Sequence, residues 1–266
     1  MIGLWPHRTP EEYKVLAQRH MSAGVEGCTR ELTSPGPQAH NCGALYLAAV
    51  LICYCTFAAG PDGPDDLLIC RVGPDAALVW RPMVQGVHLI RQVCALEHLF
   101  SGLMSPLGPA SPEEEREPPP SSVLPVCARP ESVFPRIEWE AALGRLREFV
   151  AEEEGDASWH ALDTLMNIYG ATYGRDDDGL YDGDPNDQHV FRWLYCIDQD
   201  FVACVQRQEP FALLVLAHFA LLLETISGGW YIQTWRDHLI TTIGRLLPEE
   251  YQFWLQWPAE QAGLSL

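Results

Sequence analysis

Four polar side chains capable of chemistry lie in or just after the most apolar stretch of this 266-residue chain. His218 stands inside the run Pro210–Glu224, and Glu224, Tyr231 and His238 follow it. A buried histidine whose pKa is tuned by its surroundings can act as a general acid or base. Glu224 comes six residues after His218, which places it about a third of a turn off the same helix face. The two side chains therefore do not form an evident catalytic dyad.

The pattern favours a structural role for His218 over a catalytic one, because a core histidine is commonly neutral and hydrogen-bonded to a backbone carbonyl or a tyrosine. The sequence contains no nucleophile elbow, nucleotide-binding glycine loop or metal triad. We therefore expect no metal and no cofactor. One enzyme class stays open, a cofactor-free cyclase or isomerase that holds an apolar substrate in a reactive conformation. Its hydrogen bonds to a substrate carbonyl would come from His218, Tyr231 or Trp230.

The run Pro210–Glu224 is apolar on every side, so as a helix it must be surrounded by other helices. Aromatic residues are dense in the segments that follow Gly229. Aromatic side chains dominate both cores and ligand pockets, so each of them suits either role. As the lining of an apolar ligand chamber the sequence nominates Phe211, Leu214, Val215, Phe219, Leu222, Trp230, Trp235 and Trp254, with His218 and Tyr231 as the candidate catalytic pair.

The charge balance excludes some classes of partner. The chain has 17 basic and 36 acidic residues, a formal net charge of −19. Such a protein is repelled by nucleic acid and by anionic membranes, so direct binding to either is not expected. The apolar runs 44–59 and 211–223 fall short of the ~20 residues of a bilayer span, and no secretory signal is evident. We expect a cytoplasmic protein, or a nuclear one if it is regulatory.

The nine cysteines form no C-x-x-C pair and stand mostly in apolar stretches. Buried, reduced thiols of an intracellular protein are therefore predicted, and a zinc site is not. The acidic loop 175–187 fails the calcium-loop pattern, since Asp187 and Trp193 stand where glycine and glutamate are required.

Helical periodicity without strand alternation predicts an all-α fold. We expect one domain over residues 1–266, with roughly eight to ten helices around the central apolar helix. Residues 105–135 contain nine prolines and are predicted to form a flexible loop within that domain. The sequence Thr9-Pro-Glu-Glu12 predicts the start of the first helix.

Further helices are predicted over 41–59 (buried on every side), 82–103, 137–153 and 189–206. A short helix or two is predicted within 67–80. The last helix is expected to end at Trp257-Pro258. His20, on the apolar face of the first helix, is expected in the core.

Three segments of the last quarter, Phe211–Ala220, Trp230–Ile240 and Trp254–Glu260, carry a resemblance to a known family. They resemble the C-terminal regulatory region of fungal zinc-cluster transcription factors of the sterol uptake control type. The segments Ala17–His20 and Asn41–Tyr46 are similar to its earlier helices.

The resemblance implies an all-helical domain with a deep apolar pocket, which holds ergosterol in sterol-sensing members. The family's six-cysteine DNA-binding cluster has no counterpart here, so only ligand binding carries over. We expect the chain to bind an apolar polycyclic molecule such as a sterol, terpenoid or polyketide-like compound. The alternatives are the cofactor-free cyclase of fungal secondary metabolism and a protein–protein adaptor for a DNA-binding regulator. Homodimer formation is left open.

Overall fold

The structure is a computed structural model that describes residues 9–33, 36–73, 81–101, 104, 137–152, 156–175, 187–226, 231–232 and 234–265. Across these residues there are eleven α-helices and no β-strand, with a single isolated bridge between Asp66 and Arg71. The all-α prediction is confirmed. The loop predicted over 105–135 lies outside the described residues.

The chain divides into two compact units. Unit 1 comprises Met1–Thr56 and Met83–Arg116, and unit 2 comprises Phe57–Pro82 and Glu117–Leu266. Each unit has buried side chains of its own. The single domain over 1–266 stays a prediction.

Unit 1 is built on α1 (Pro10–Thr33), α2 (Cys42–Ala59), α3 (Arg81–Val93) and α4 (Leu96–Leu99). The predicted start of α1 is confirmed, because the Thr9 backbone N–H donates to Glu12 Oε2 at 2.7 Å and the Glu12 N–H donates to Thr9 Oγ1 at 3.3 Å. This reciprocal pair satisfies donors that the first helical turn leaves free. The core of the unit is a small cluster of Cys42, Leu45, Ile90, Cys94 and Leu99.

Three expectations for unit 1 are wrong. The surface of α2 is only partly covered, with Leu47 and Leu51 at 39% and 51% exposure, whereas burial on every side was predicted. His20 is exposed on α1 and is not a core residue. The segment predicted as one helix over 82–103 is broken after Val93, and α4 starts at Leu96. Helical periodicity shows which faces are apolar, but it does not show whether enough neighbouring chain exists to cover them.

The prediction of reduced thiols is also wrong for one pair. Cys42 and Cys94 form a disulfide, with their Cα atoms 6.1 Å apart and a separation of 52 positions in sequence. Six other described cysteines are free. The pairing depends on α2 and α3 meeting in space, which cysteine spacing alone does not reveal.

By length and composition, α2 is the one single helix of the described residues that is able to cross a membrane. It has 18 residues, none of them charged, and 17% of it is buried. The helices α8 and α9 pass the same test only as a pair bent by 105°. In that pair α9 is a buried core helix, which satisfies the same criterion without a membrane.

Unit 2 holds the remaining helices, α5 to α11. They are α5 (Glu140–Glu152), α6 (Asp156–Tyr173), α7 (Asp187–Cys196), α8 (Gln199–Gln206), α9 (Pro210–Leu222), α10 (Trp235–Leu246) and α11 (Gln252–Ala262). The central helix is α9, which packs against α6, α8, α10 and α11. Every residue from Ala212 to Leu222 is buried, so the prediction of an apolar helix surrounded by others is confirmed.

Helix boundaries in unit 2 differ from the predictions at three places. The helix predicted over 189–206 is two helices, because the Asp198 carboxylate accepts from the Phe201 N–H at 2.7 Å and starts α8 there. Helix α11 continues through Pro258 and ends at Gly263, whose φ of 70° suits glycine. Residues 67–73 contain no helix, with Leu68 at a φ of 66°, and the rest of the segment predicted to hold a short helix or two, 74–80, lies outside the described residues.

Candidate functional site

His218 lies in the middle of α9 with 2% of its surface exposed. Its ring Nδ1 is 2.8 Å from the backbone oxygen of Leu214, one turn earlier. A carbonyl oxygen only accepts hydrogen bonds, so Nδ1 must carry the proton of this contact. Among the described residues, no hydrogen bond reaches the other ring nitrogen, Nε2.

Burial lowers the pKa of His218 to about 4, because desolvation penalises the charged ring more than the bond to Leu214 favours it. At neutral pH the ring is therefore uncharged. With its one proton on Nδ1, the neutral imidazole presents Nε2 as a hydrogen-bond acceptor. The expectation of a neutral core histidine bonded to a backbone carbonyl is confirmed, and the catalytic role of His218 stays a prediction.

Two aromatic side chains surround His218. The ring of Trp257 stacks on the imidazole with centroids 5.5 Å apart and an interplanar angle of 14°. The hydroxyl of Tyr169, on α6, donates to the backbone oxygen of His218 at 2.6 Å. Burial raises the pKa of Tyr169 well above its ordinary value, and nearby Tyr173 raises it further, so the hydroxyl keeps its proton. These contacts fix α6, α9 and α11 around the histidine.

A second group of rings, here called the aromatic face, consists of Phe149, Phe211, Tyr251 and Trp254. Phe149 stacks on Trp254 with centroids 4.5 Å apart and an angle of 13°. Phe211 meets Phe149 edge-on at 5.1 Å and Tyr251 edge-on at 5.7 Å. All four rings are half-buried, so part of each remains in contact with solvent.

The position of α11 joins the aromatic face to His218. Trp254 and Trp257 are three residues apart on this helix, so they are neighbours on its surface. The side-chain amide of Gln252 donates to the backbone oxygens of Gly244 at 2.7 Å and Leu247 at 2.8 Å, which holds the start of α11 against the end of α10.

The other end of α11 is held by Arg236. Its guanidinium pairs with Glu224 and Asp237 and donates to the backbone oxygen of Ala262 at 3.4 Å. Glu224, a candidate for chemistry in the sequence, is thus part of a partly exposed ion pair. Both ends of α11, which carries Trp254 of the aromatic face, are thus hydrogen-bonded to residues outside the helix.

The structure brings only part of the predicted chamber together. Phe211 and Trp254 both belong to the aromatic face. Four other nominated residues of α9 are fully enclosed in the helical core: Leu214, Val215, Phe219 and Leu222. Phe219 stacks on Trp193 with centroids 4.1 Å apart, and the Trp193 indole N–H donates to the backbone oxygen of Ala161 at 3.0 Å.

Trp235 holds the last turn of α2, which belongs to unit 2 from Phe57 onward. Its indole N–H donates to the backbone oxygen of Phe57 at 2.9 Å, and its ring meets His238 edge-on. His238 Nε2 is in turn 2.8 Å from the backbone oxygen of Asp66. Tyr231 is half-buried in the turn before α10, and Trp230 lies outside the described residues.

Sequence reasoning did not nominate Phe149 or Tyr169 for the site. Each occupies an inward position in an amphipathic helix pattern, which is the pattern of ordinary core residues. Tyr169 reaches α9 across 49 residues of sequence, and no local signal encodes that contact. Trp257 appears in the aromatic set of the last helix, and its stack on His218 is likewise non-local.

Two concavities lined by described residues lie elsewhere. A groove of about 480 Å³ runs along Glu26, Thr29, Arg30 and Thr33 of α1, but one helix alone does not enclose a ligand. A cavity of about 30 Å³ between α6 and the end of α7 has room for about one water molecule. No cluster of three or more potential metal-binding side chains occurs among the described residues.

No protein-family model, curated protein or solved structure matches this chain.

Proposed function

We propose that this protein binds an apolar, ring-containing small molecule of the sterol, terpenoid or polyketide type on the aromatic face of unit 2. The observation that carries the proposal is the set of packed but partly exposed rings at Phe149, Phe211, Tyr251 and Trp254. Flat apolar ligands gain both from leaving water and from offset or edge-to-face contact with such rings.

The contrast with the rest of unit 2 supports this assignment. Its central helix is buried from Ala212 to Leu222, whereas the rings of the aromatic face, which include Phe211 at the start of that helix, are only partly buried. Phe253, beside Trp254 on α11, is 65% exposed, which adds apolar surface next to the face. Contiguous exposed aromatic surface on a well-packed bundle is typical of a binding site.

Aromatic rings can also stack on nucleic-acid bases, but a protein with a net charge of −19 repels the phosphate backbone. An adaptor role remains a competing use of the same surface, because a partner's apolar side chains would also cover it. The experiment below therefore includes small molecules offered to the isolated protein.

A cyclase or isomerase would need a polar group in contact with the substrate. His218 is 2% exposed and its Nδ1 proton is held by Leu214, so it is placed to accept a hydrogen bond and not to donate one. The arrangement therefore favours binding over the predicted carbonyl activation.

The test is equilibrium binding of a panel of labelled sterols and polycyclic terpenoids to the wild type, to Trp254→Ala and to Trp159→Ala. Trp159 is the matched control, because it is also a half-buried tryptophan but lies against Arg147 at 5.1 Å, outside the aromatic face. We expect at least about tenfold weaker binding for Trp254→Ala, as for loss of an aromatic anchor, and wild-type binding for Trp159→Ala. Equal affinity in all three proteins would overturn the proposed site, and no binding of any compound would overturn the function.

A further inference from the structure

One side of α2, here called the α2 stripe, presents uncharged side chains to solvent. It consists of Ala44, Leu47, Leu51 and Cys55, all of which are exposed. The two leucines have exposed fractions of 39% and 51%. The spacing of three, four and four residues places the four side chains along a single side of the helix.

We propose that the α2 stripe is the interface at which two copies of this chain pack together, with α2 antiparallel to the α2 of the partner subunit. The stripe belongs to unit 1, whereas the aromatic face belongs to unit 2. The pairing is therefore independent of ligand binding, and it adds a second copy of the chain as a partner.

Exposed apolar side chains are concentrated in unit 1. Eight of the ten large apolar side chains that are exposed among the described residues belong to it, although it is the smaller of the two units. Only Tyr195 and Phe253 belong to unit 2. Apolar side chains exposed together in this way are typical of a surface that another molecule covers.

The distribution of charge favours unit 1 as the place where two like chains meet. Unit 2 has 28 acidic and 11 basic residues, a net charge of −17, whereas unit 1 has 8 acidic and 6 basic residues, a net charge of −2. Two copies of unit 2 therefore repel each other. No charged residue occurs in α2, so two copies of this helix meet without burying an ion.

The order of side chains in the α2 stripe fits a second copy of itself. A two-fold interface must be self-complementary, because the same surface is used on both sides. In an antiparallel pair whose axis passes between Leu47 and Leu51, Leu47 lies opposite the partner's Leu51. Ala44 then lies opposite the partner's Cys55. Large side chains meet at the centre of the pair and small ones meet at both ends.

A lipid bilayer is the competing occupant of this surface. With 18 residues α2 is about 27 Å long, slightly short of the ~30 Å hydrocarbon core. The helix is also tied to other parts of the chain. Cys42 is bonded to Cys94, and the backbone oxygen of Phe57 accepts from the Trp235 indole N–H at 2.9 Å. Insertion across a bilayer would break the contact with Trp235, whereas pairing with a second copy leaves both ties in place.

The test is sedimentation equilibrium of the full chain without ligand, as the wild type, as Leu47→Glu/Leu51→Glu and as Leu89→Glu/Val93→Glu. The pair on α3 is the matched control, because it also consists of two exposed apolar side chains four residues apart in unit 1. We expect the wild type to reach the mass of two chains, twice 29.8 kDa. The α2 variant should dimerise at least about a hundredfold more weakly, because glutamates of the two chains would be buried against each other.

The α3 variant should dimerise as the wild type does, and both variants should keep the wild-type circular dichroism. A wild type that is monomeric throughout the concentration series would overturn the proposal. If that monomer floats with phosphatidylcholine vesicles in a density gradient, lipid covers the stripe and a second copy does not. Equal weakening by the two variants would also overturn the proposal, because α2 would then have no special part in the dimer.

Disulfide trapping tests the antiparallel order and does not depend on the glutamate variants. Ala44→Cys places a thiol opposite the partner's Cys55. Diamide, which takes up the two electrons and two protons of each thiol pair, should then link the two chains on a non-reducing gel. Ala44→Cys/Cys55→Ala lacks the opposing thiol and should give no more linked dimer than Cys55→Ala does. Equal linking in the two Ala44→Cys proteins, or no more linking in Ala44→Cys than in the wild type, would overturn the antiparallel pairing.

Discussion

Acidification should lower the free energy of unfolding of this protein, and the contribution of His218 to this loss should be large enough to measure. The folded ring has a pKa of about 4 because of burial, and the unfolded ring titrates near its ordinary value of 6.5. Above the unfolded value both states are neutral, and the folded state has its full stability. As the pH falls from 6.5 to 4, the unfolded chain takes up a proton that the folded chain does not, so the stability falls. Below about 4 both states bind the proton, and this group causes no further loss.

The size of the effect follows from the two pKa values. They differ by 6.5 − 4 = 2.5 units. Each unit corresponds to about 1.4 kcal/mol, so the full loss is about 3 kcal/mol in the free energy of unfolding. Between about pH 7 and pH 5 the loss is about 2 kcal/mol. This is a large fraction of the stability of a typical domain.

The assay is urea unfolding followed by tryptophan fluorescence, which reports mainly on unit 2 because eight of the nine tryptophans fall there. The wild type is compared with His218→Gln, which does not titrate. Carboxylates titrate in both proteins, so their contribution cancels in the difference. The wild type should lose about 2 kcal/mol more than the variant between about pH 7 and pH 5. Parallel pH profiles would refute the reasoning, because His218 would then titrate as an exposed ring does, and the assignment of Nε2 as a bare acceptor would fail.

Three further outcomes are expected. Reduction of the Cys42–Cys94 disulfide should lower the free energy of unfolding of unit 1 by up to about 4 kcal/mol, because the bond closes a loop of 52 residues. The loss should appear as faster hydrogen exchange in α2 and α3. An equal effect of the reductant on the double variant Cys42→Ala/Cys94→Ala would contradict this prediction. Tyr169→Phe should lower the free energy of unfolding by about 1 kcal/mol, because it removes the buried hydrogen bond to the backbone of α9. An unchanged free energy in urea unfolding would show that this hydrogen bond does not stabilise the fold. Phe219→Ala should lower the free energy of unfolding by about 3 to 5 kcal/mol, because it removes a core side chain. Trp254→Ala should lower it much less but should abolish ligand binding. The opposite order in paired stability and binding assays would show that Phe219 binds the ligand and that Trp254 supports the core.

Local sequence signals predicted those parts of the fold that depend on a few neighbouring residues. The capping pair at Thr9 and Glu12 marks the start of α1, and the uninterrupted apolar run marks α9 as the buried helix. The pattern does not reveal the cap at Asp198, because the residues on both sides of it continue a helical pattern. The sequence predicts a helix end at Pro258, whereas α11 continues through this residue to Ala262.

The candidate site was predictable in composition but not in arrangement. Phe211, Trp254 and His218 were nominated because aromatic rings and a lone histidine follow one another in the last third of the chain. The protonated nitrogen of His218, the hydroxyl of Tyr169 on its backbone and the stack of Trp257 all depend on contacts between helices. Sequence periodicity places residues on a helix face, but it does not say which face of another helix they meet.

The central claim is that the partly exposed rings of the aromatic face hold an apolar polycyclic molecule. Native mass spectrometry of the purified protein, after incubation with a mixture of sterols and terpenoids, tests it most directly. The account predicts one retained polycyclic compound per chain in the wild type and in Trp159→Ala but not in Trp254→Ala. An empty wild-type protein, or equal retention by Trp254→Ala, would contradict it.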